Sequence, residues 1–348
     1  MTMLSELVDV VIGVDTHTST HTAAVLAASG AVLAQSTEPA DPDGYAALAA
    51  LADRHGRSRA WAIESANGYG AGLARFLAER GEWVIEIDRP NRSARRHGAK
   101  SDPIDAVRAA REALTRDRLA VPRRGAERAA LSVRLTARRS AVDASTIAQR
   151  QLRALIIAAP ETLRSRLRNK TTPQMVTICA HLRRHHRWDI ATNETATVLR
   201  NLAQRITTLN EEARDHQRAI HTIVHAWRPD LLEQLGVGPI VAATILCAWS
   251  HPGRIHNDAA FAMLAGTAPI AASSGQTVRH RLNRSGDRQL NRAIHTIATC
   301  RLNHDPTTRS YLERRRNQGK TDREIKRSLK RYITRQLYRL LENPPTTT

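Results

Sequence analysis

The texture of this 348-residue chain changes at Pro122, and that change limits the folds open to it. Before Pro122, short apolar runs of strand length alternate with amphipathic stretches. After it, over 124–228, apolar residues such as Leu199, Leu202, Ile206 and Leu209 recur at spacings of three and four. Breaks in this pattern fall near Pro160 and around Lys170–Pro173. A sustained period near 3.6 demands helix, whereas short apolar runs bounded by turn residues suit strands. The expected fold class is therefore α/β plus all-α. It comprises a mixed α/β layer, a helical, coiled-coil middle, and a mostly helical C-terminal part. Four segments are expected: 5–122, a helical arm over 123–228, a C-terminal domain over 229–341, and a disordered Pro- and Thr-rich tail over 342–348.

Within the first segment, residues 7–14 read as a buried strand with Asp15 at its end. Residues 21–26 and 31–35 form a hairpin through Ser29-Gly30. A helix over 42–51, a strand over 59–64, a helix over 69–80 and a strand over 83–87 follow. Asp102 and Pro103 then open a helix toward Leu114, with Asp102 as its cap and Pro103 in its first turn. Functional residues in such a layer belong at strand ends.

Charge narrows the partner. Lys and Arg number 53 against 33 Asp and Glu, a net charge of +20. A preference for Arg over Lys can reflect genome composition, but an excess over acids cannot. Such a field favours a polyanion. Aromatic residues make up only 3% of the chain, which favours a binder of duplex backbone over a reader of single strands. The 41% apolar content is enough for buried cores and argues against a disordered chain.

Cys179, Cys247 and Cys300 are widely spaced and suit neither a zinc site nor a disulfide framework. A reducing, prokaryotic cytoplasm with nucleoid association is the expected location. The N-terminus lacks the pattern of a signal peptide, and no apolar run is long enough for a membrane span.

Four acids stand out. Asp15 and Glu64 each end a strand that reads as buried, and neighbouring parallel strands ending together would set them side by side. Asp102 and Asp105, three apart at a helix start, can face the same sheet edge. Converging carboxylates repel unless cations sit among them, and hard oxygen ligands suit Mg²⁺ in phosphoryl transfer. Each acid alone also has a structural explanation. His17 and His21 read as solvent-facing or structural.

In the C-terminal part, Leu235-Gly236-Val237-Gly238-Pro239 reads as a tight turn entering an apolar helix. Its backbone N–H groups could hold a phosphate, or its glycines could permit close helix packing. From 309 to 339 the chain carries twelve basic residues against three acids. Ile325, Leu329, Tyr332, Ile333 and Leu337 form an apolar stripe within this tract, so it reads as a helix with a buried face and a basic outer one.

Three motifs together resemble the IS110/IS1111 family of transposases: Val11-Ile12-Gly13-Val14-Asp15-Thr16-His17, Ile63-Glu64-Ser65-Ala66-Asn67-Gly68, and Lys100-Ser101-Asp102-Pro103-Ile104-Asp105-Ala106. The stretch Phe261–Pro269, Ser274-Gly275, and the run from Arg279 through Asn291-Arg292 resemble that family's C-terminal signature. The resemblance implies an RNase H-like, RuvC-like N-terminal domain with a DEDD metal site formed by Asp15, Glu64, Asp102 and Asp105. It also implies a nucleophilic serine, placed at Ser274 with Ser273 adjacent, that forms a covalent link to DNA. In the family, acids of one domain work with the serine of the other, the latter from a partner subunit. Further implications are a structured guide RNA, double-stranded DNA at the element ends and target, and a homo-oligomer, dimer or tetramer.

Candidate nucleic-acid contacts are Gly236, Gly238, Arg279, Arg281, Arg288, Lys326, Arg327, Lys330 and Arg331. A metal-dependent, Holliday-junction-type endonuclease without a covalent intermediate shares the same acids. A non-enzymatic scaffold leaves their joint placement unexplained.

Overall fold

The structure is a computed structural model and describes residues 3–87, 102–116, 118–271, 280–283 and 285–344. The chain divides into two compact units, Met1–Arg123 and Arg124–Thr348.

The first unit opens with an antiparallel meander of β1 (Val10–Thr16), β2 (Thr20–Ala27) and β3 (Val32–Pro39). Then come α1 (Pro42–Asp53), β4 (Arg59–Glu64), α2 (Ala71–Glu79), β5 (Trp83–Ile87) and α3 (Asp102–Thr115). The sheet order is β3-β2-β1-β4-β5, with β4 parallel to β1 and β5 parallel to β4. Strands β4 and β5 fall where the apolar runs predict them. Central β1 is buried at every residue.

Alternation along β1 and β4 separates two cores. Val10, Ile12, Val14, Trp61 and Ile63 pack with Leu48 of α1 and with Leu73 and Leu77 of α2. On the opposite face, Val11, Ala60 and Ala62 pack with Ala106, Val107, Ala110 and Ala113 of α3. Small residues line this second face because α3 lies almost on the strand backbone. A Cβ on Gly13 would stand 2.0 Å from the Ala106 carbonyl oxygen. α3 begins at Asp102, and one Asp102 carboxylate oxygen lies 3.3 Å from His17 Nε2.

The second unit is helical. α4 (Ala126–Ala158) is followed by α5 (Glu161–Leu167), α6 (Thr172–Ala180) and α7 (Ile190–Trp227). α4 and α7 pair antiparallel. Leu131 and Leu135, early in α4, share a core with Ile220 and Val224, late in α7, while Leu152 and Ile156 share another with Leu199 and Ala203. At 33 residues, α4 makes an arm about 50 Å long, at 1.5 Å rise per residue. Midway along it the pairing turns polar, with Ser145 Oγ donating to Asn210 Oδ1 at 2.8 Å.

Beyond the arm come α8 (Pro229–Leu232), α9 (Pro239–Trp249), α10 (Asp258–Leu264), β6 (Ile270–Ala271), β7 (His280–Arg281), α11 (Arg288–His304), α12 (Pro306–Asn317) and α13 (Asp322–Glu342). Trp249, Phe261, Ile294, Ile333 and Leu337 fill the main core here, together with the base of the arm. Buried Arg228 fastens the two ends of this region. It grips Asp230 through Nε at 2.8 Å and Nη2 at 2.6 Å, and it donates to the carbonyls of Leu340 and Leu341 at the end of α13. Those carbonyls belong to a last helical turn that has no intrahelical donors.

One expectation needs correction. The basic tract over 309–339 is not one helix. It breaks between α12 and α13, where Gly319 takes φ +75° and Thr321 with Glu324 forms a capping box that starts α13 afresh. Gly236 serves close packing: a Cβ there would lie 3.1 Å from Cys300 Cβ and 3.2 Å from Ile297 Cα. Among the described residues nothing lies within 4 Å of where a Gly238 Cβ would stand, so the turn before α9 is open there.

Candidate active site

Asp15 and Glu64 are the terminal acids of two hydrogen-bonded parallel strands. The register pairs Val14 with Ile63, one step before both acids. Thr16 Oγ1 donates to the Glu64 carbonyl at 2.9 Å and ties the strand ends together. The alternation that turns Ala62 toward α3 carries Glu64 to that face too. After β4 the chain turns at once: Ser65 takes φ +56°, a conformation that costs a non-glycine residue about 1 kcal/mol or more. Gly70 keeps the turn close, since a Cβ there would sit 2.8 Å from Ile63 and 3.0 Å from Thr16.

Close packing of α3 on Gly13 brings its first turn over the same strand ends. His17 Nε2 lies 3.3 Å from Asp15 Oδ2 and 3.3 Å from Asp102 Oδ1. Ligand atoms of Asp15, His17 and Asp102 all fall within 4.8 Å of one another. Asp105 is held differently, accepting from Arg108 Nη1 at 2.9 Å. Burial pushes the Asp15 carboxyl above its usual range; His17 works against this shift, while the charges of Asp102 and Asp105 add to it.

A divalent cation fits this donor set. Two carboxylate oxygens converge on an imidazole nitrogen that is shielded from solvent and makes no hydrogen bond among the described residues. Positive charge placed there would favour the ionised form of Asp15, which burial and, after it, the charges of Asp102 and Asp105 disfavour. His17 is thus part of the cluster, contrary to the solvent-facing or structural role expected of it. Its signal was the Asp-x-His spacing, which in extended backbone puts both side chains on one face. His21 is structural. It is fully buried, stacks on Tyr45 at 5.7 Å, and its Nδ1 contacts the Thr20 carbonyl at 3.0 Å.

In the second unit, the region resembling the C-terminal signature borders a basic cleft of about 790 Å³. α10 ends in a turn at Gly266 (φ +61°), from which Thr267, Ala268 and Pro269 run along the cleft into β6. β7 pairs antiparallel with β6 and contributes Arg281. Ser273, Ser274, Gly275 and Arg279 lie between these two strands in sequence, outside the described residues.

Arg315, Lys320, Arg327, Lys330, Arg331 and Arg335 line the cleft with Arg281, and Glu324 is the one acid among its described lining residues. That acid is engaged in capping α13. Asn291 organises the wall: its Nδ2 donates to the carbonyls of Ala265 and Gly266, and its Oδ1 accepts from Lys330 Nζ at 2.7 Å. Burial pushes the Lys330 ammonium below its usual range. Arg331 and Arg335 share Asp258 and hold its carboxyl below the usual carboxylate range. Arg288 and Lys326 are exposed and are not among the lining residues. Charge excess predicted a basic face here, but which cations converge depends on how α13 and the β6–β7 hairpin pack.

Comparison with known proteins assigns both units to one lineage. Residues 12–158 match the model of IS110-type DEDD transposases, described as "Transposase", and residues 230–313 match "Transposase IS116/IS110/IS902 family". The chain belongs to the IS110 family of transposases. Among curated proteins it is similar to the insertion element IS110 uncharacterized 43.6 kDa protein of Streptomyces coelicolor, with 32% identity over 42% of this chain and 37% of the relative. It is also similar to the insertion element IS900 uncharacterized 42 kDa protein of Mycobacterium paratuberculosis, with 30% identity over 44% of this chain and 41% of the relative. The match thus spans well under half the length of either relative. The first IS110-type match runs from β1 into α4 and takes in the whole acidic cluster; the second runs from α8 to α12 and takes in the segment that holds Ser274. No described helix is long and apolar enough to cross a membrane.

Proposed function

We propose that this chain is a DNA transposase of an insertion sequence, cutting and rejoining strands through a serine–DNA covalent intermediate. In this reading residues 5–122 are the metal-dependent domain, 123–228 an arm, and 229–341 the domain that carries the nucleophile. The observation that carries it is the convergence of Asp15, His17 and Asp102 at the end of the sheet, with Glu64 closing the neighbouring strand. Asp15, Glu64, Asp102 and Asp105 are the proposed metal ligands. Asp105 is freed from Arg108 when it serves, and His17 is an added donor. The proposed ion is Mg²⁺, and the imidazole makes Mn²⁺ an able substitute. When bound, the ion supplies electrostatic stabilisation of a phosphodiester undergoing displacement.

The remaining chemistry belongs to the chain. Ser274 Oγ attacks phosphorus as its hydroxyl loses a proton, forming an Oγ–P ester; the P–O bond to one strand end breaks, and the departing strand oxygen takes up a proton and leaves as a hydroxyl. Energy stored in the ester allows rejoining without an external cofactor. Arg279, Arg281 and the cations of the cleft hold phosphates, with Gly238 and the start of α9 as a further anchor. Lys326 and Arg288 extend the basic surface beyond the cleft. The net charge of +20 supports two polyanionic partners, duplex DNA and a structured guide RNA, acting on a homo-oligomer.

The test is covalent trapping. Purified full-length protein with its co-purifying RNA is mixed with Mg²⁺ and labelled DNA spanning an element end, then resolved under denaturing conditions. A labelled protein band that disappears in Ser274→Ala is the expected result. Cut DNA with no such band in either protein would favour a water-using, metal-dependent endonuclease, for which the acidic cluster is sufficient.

A further inference from the structure

The far end of the arm carries a surface that the chemistry above does not use. Cys179, Leu163, Leu182 and Trp188 build a small apolar core there with the ends of α4 and α7. Over that core runs the loop between α6 and α7, residues 181–189, whose sequence interleaves arginines with aromatic rings: Arg183, Arg184, His185, His186, Arg187, Trp188.

Two features make this loop more than a solvated charge run. Its backbone is locked from below by Asn193, a buried residue in the first turns of α7. Asn193 Oδ1 accepts from the His185 amide at 2.8 Å, and its Nδ2 reaches the carbonyls of His185, Trp188 and Asp189 at 3.0 to 3.3 Å. Asp189 adds the helix cap, accepting from the Thr192 amide at 2.7 Å. The rings also form a ladder. Trp188 packs on the core, His185 lies 5.6 Å from it, and His186 stacks on His185 at 4.6 Å with 25° between planes. Both histidines are exposed, so the ladder ends at the surface.

Cations accompany it. Arg183 and Arg187 lie in the loop itself, and Arg164, Arg166 and Lys170 are on α5 and the following turn, which pack on the same core through Leu163 and Leu167; all five are exposed and form no ion pair among the described residues.

We propose that this arm tip binds an unpaired loop of RNA, its bases stacking on the histidine ladder and its phosphates meeting the five arginine and lysine side chains. Duplex DNA would engage the cations but hides its bases from the rings. An acidic protein would engage the cations and leave the ladder idle. Unpaired bases held open in a folded molecule are what RNA loops offer, and stacking on His, Trp and Arg planes is how such loops are held. A backbone fixed before binding lowers the entropy cost of gripping them. The proposal rests on the nucleic-acid reading above and not on its catalytic part.

The test is fluorescence anisotropy with the full chain, without divalent cations. The probes are an RNA hairpin with about eight unpaired loop nucleotides, the same hairpin in DNA, and a fully paired RNA duplex. The His185→Ala/His186→Ala protein should bind the RNA hairpin about tenfold more weakly and the paired duplex as wild type does. The Arg183→Ala/Arg187→Ala protein should lower the salt slope of hairpin binding by about 1.4, two single-strand phosphate contacts. Unchanged hairpin binding in both variants would overturn the proposal. An equal loss on the DNA hairpin would overturn the choice of RNA, and an equal loss on the paired duplex would overturn base stacking. Because the side chains are exposed, thermal midpoints should match wild type and exclude misfolding as the cause. Ser274 trapping is scored separately, so either reading can fail while the other stands.

Discussion

The acidic cluster and the basic cleft are opposite solutions to placing charge. In the α/β unit, acids are crowded at strand ends by short, rigid hydrogen-bonded elements, and burial works against the ionisation of Asp15. In the helical unit, seven cations from α12, α13, β7 and the turn between the two helices converge on an open cleft, and two of them share one aspartate. A cluster of like charges anchored on one buried acid, Asp15, stores repulsion that a single ion of opposite charge relieves. An open cationic cleft stores little and responds to polyanions and salt. The first suits a tightly placed metal, the second a long flexible substrate.

Backbone substitution should break this comparison most sharply. Gly13→Val would drive a side chain into the Ala106 carbonyl and lift α3, with Asp102 and Asp105, from the strand ends. A loss of about 3 kcal/mol in chemical denaturation is expected, together with loss of any divalent-cation shift in thermal midpoint. Gly236→Ala, pressed against Ile297 in the other unit, should destabilise the fold too, yet leave the cation shift intact. A Gly13→Val protein that kept its cation response would mean that close packing of α3 does not build the site.

Substitution in the cleft comes next in size. Lys330→Ala and Arg327→Ala should each weaken duplex DNA binding several-fold whatever the sequence, with the salt slope shallower by about 0.9 per lost contact. Asp15→Asn should leave that slope alone. Titrations across salt concentrations distinguish these outcomes.

Response to pH sharpens the contrast with the smallest effect. Asp15 titrates higher in the folded chain than in the unfolded one. Without metal, its contribution is therefore present at low pH and lost as pH rises from about 3.8 through the raised value. His251 is pushed down to about 4 by burial, with Arg124 and Arg254 adding to the shift. Its contribution is present above 6.5 and lost as pH falls toward 4. Thermal melts with a chelator should show Asp15→Asn gaining midpoint relative to wild type at neutral pH, and His251→Asn flattening the acid limb. A fall of both limbs with the same sign would contradict the burial of one of them.

The difference between the regions also explains what could be read from sequence. Strand ends are legible because apolar runs stop abruptly at Asp15 and Glu64, and the pairing of those strands needs only parallel order. α3 was legible from Asp102 and Pro103, though not the approach of the Asp102 carboxylate to His17. His17 was misjudged because the Asp-x-His spacing puts it on the face of Asp15 but does not show that Asp102 lies there too; only the geometry shows its Nε2 between two acids. Helical segments gave length and charge but not convergence. Lys330 and Asn291 are 39 residues apart and meet only through packing of α11 on α13. The break at Gly319 was hidden because basic residues continue across it. Gly236 carried two readings, and only its distance from Ile297 separates them.

The central claim is that the strand-end acids make DNA cleavage depend on a divalent cation. Its most direct measurement is cleavage of labelled element-end DNA by wild type, Asp15→Asn and Asp102→Asn across a Mn²⁺ titration, with circular dichroism confirming that both variants fold. Wild-type cleavage should rise with Mn²⁺ and vanish with chelator, and both variants should lose it by about a thousandfold or more. Cleavage by either variant at the wild-type level, or by wild type in chelator, would contradict the account.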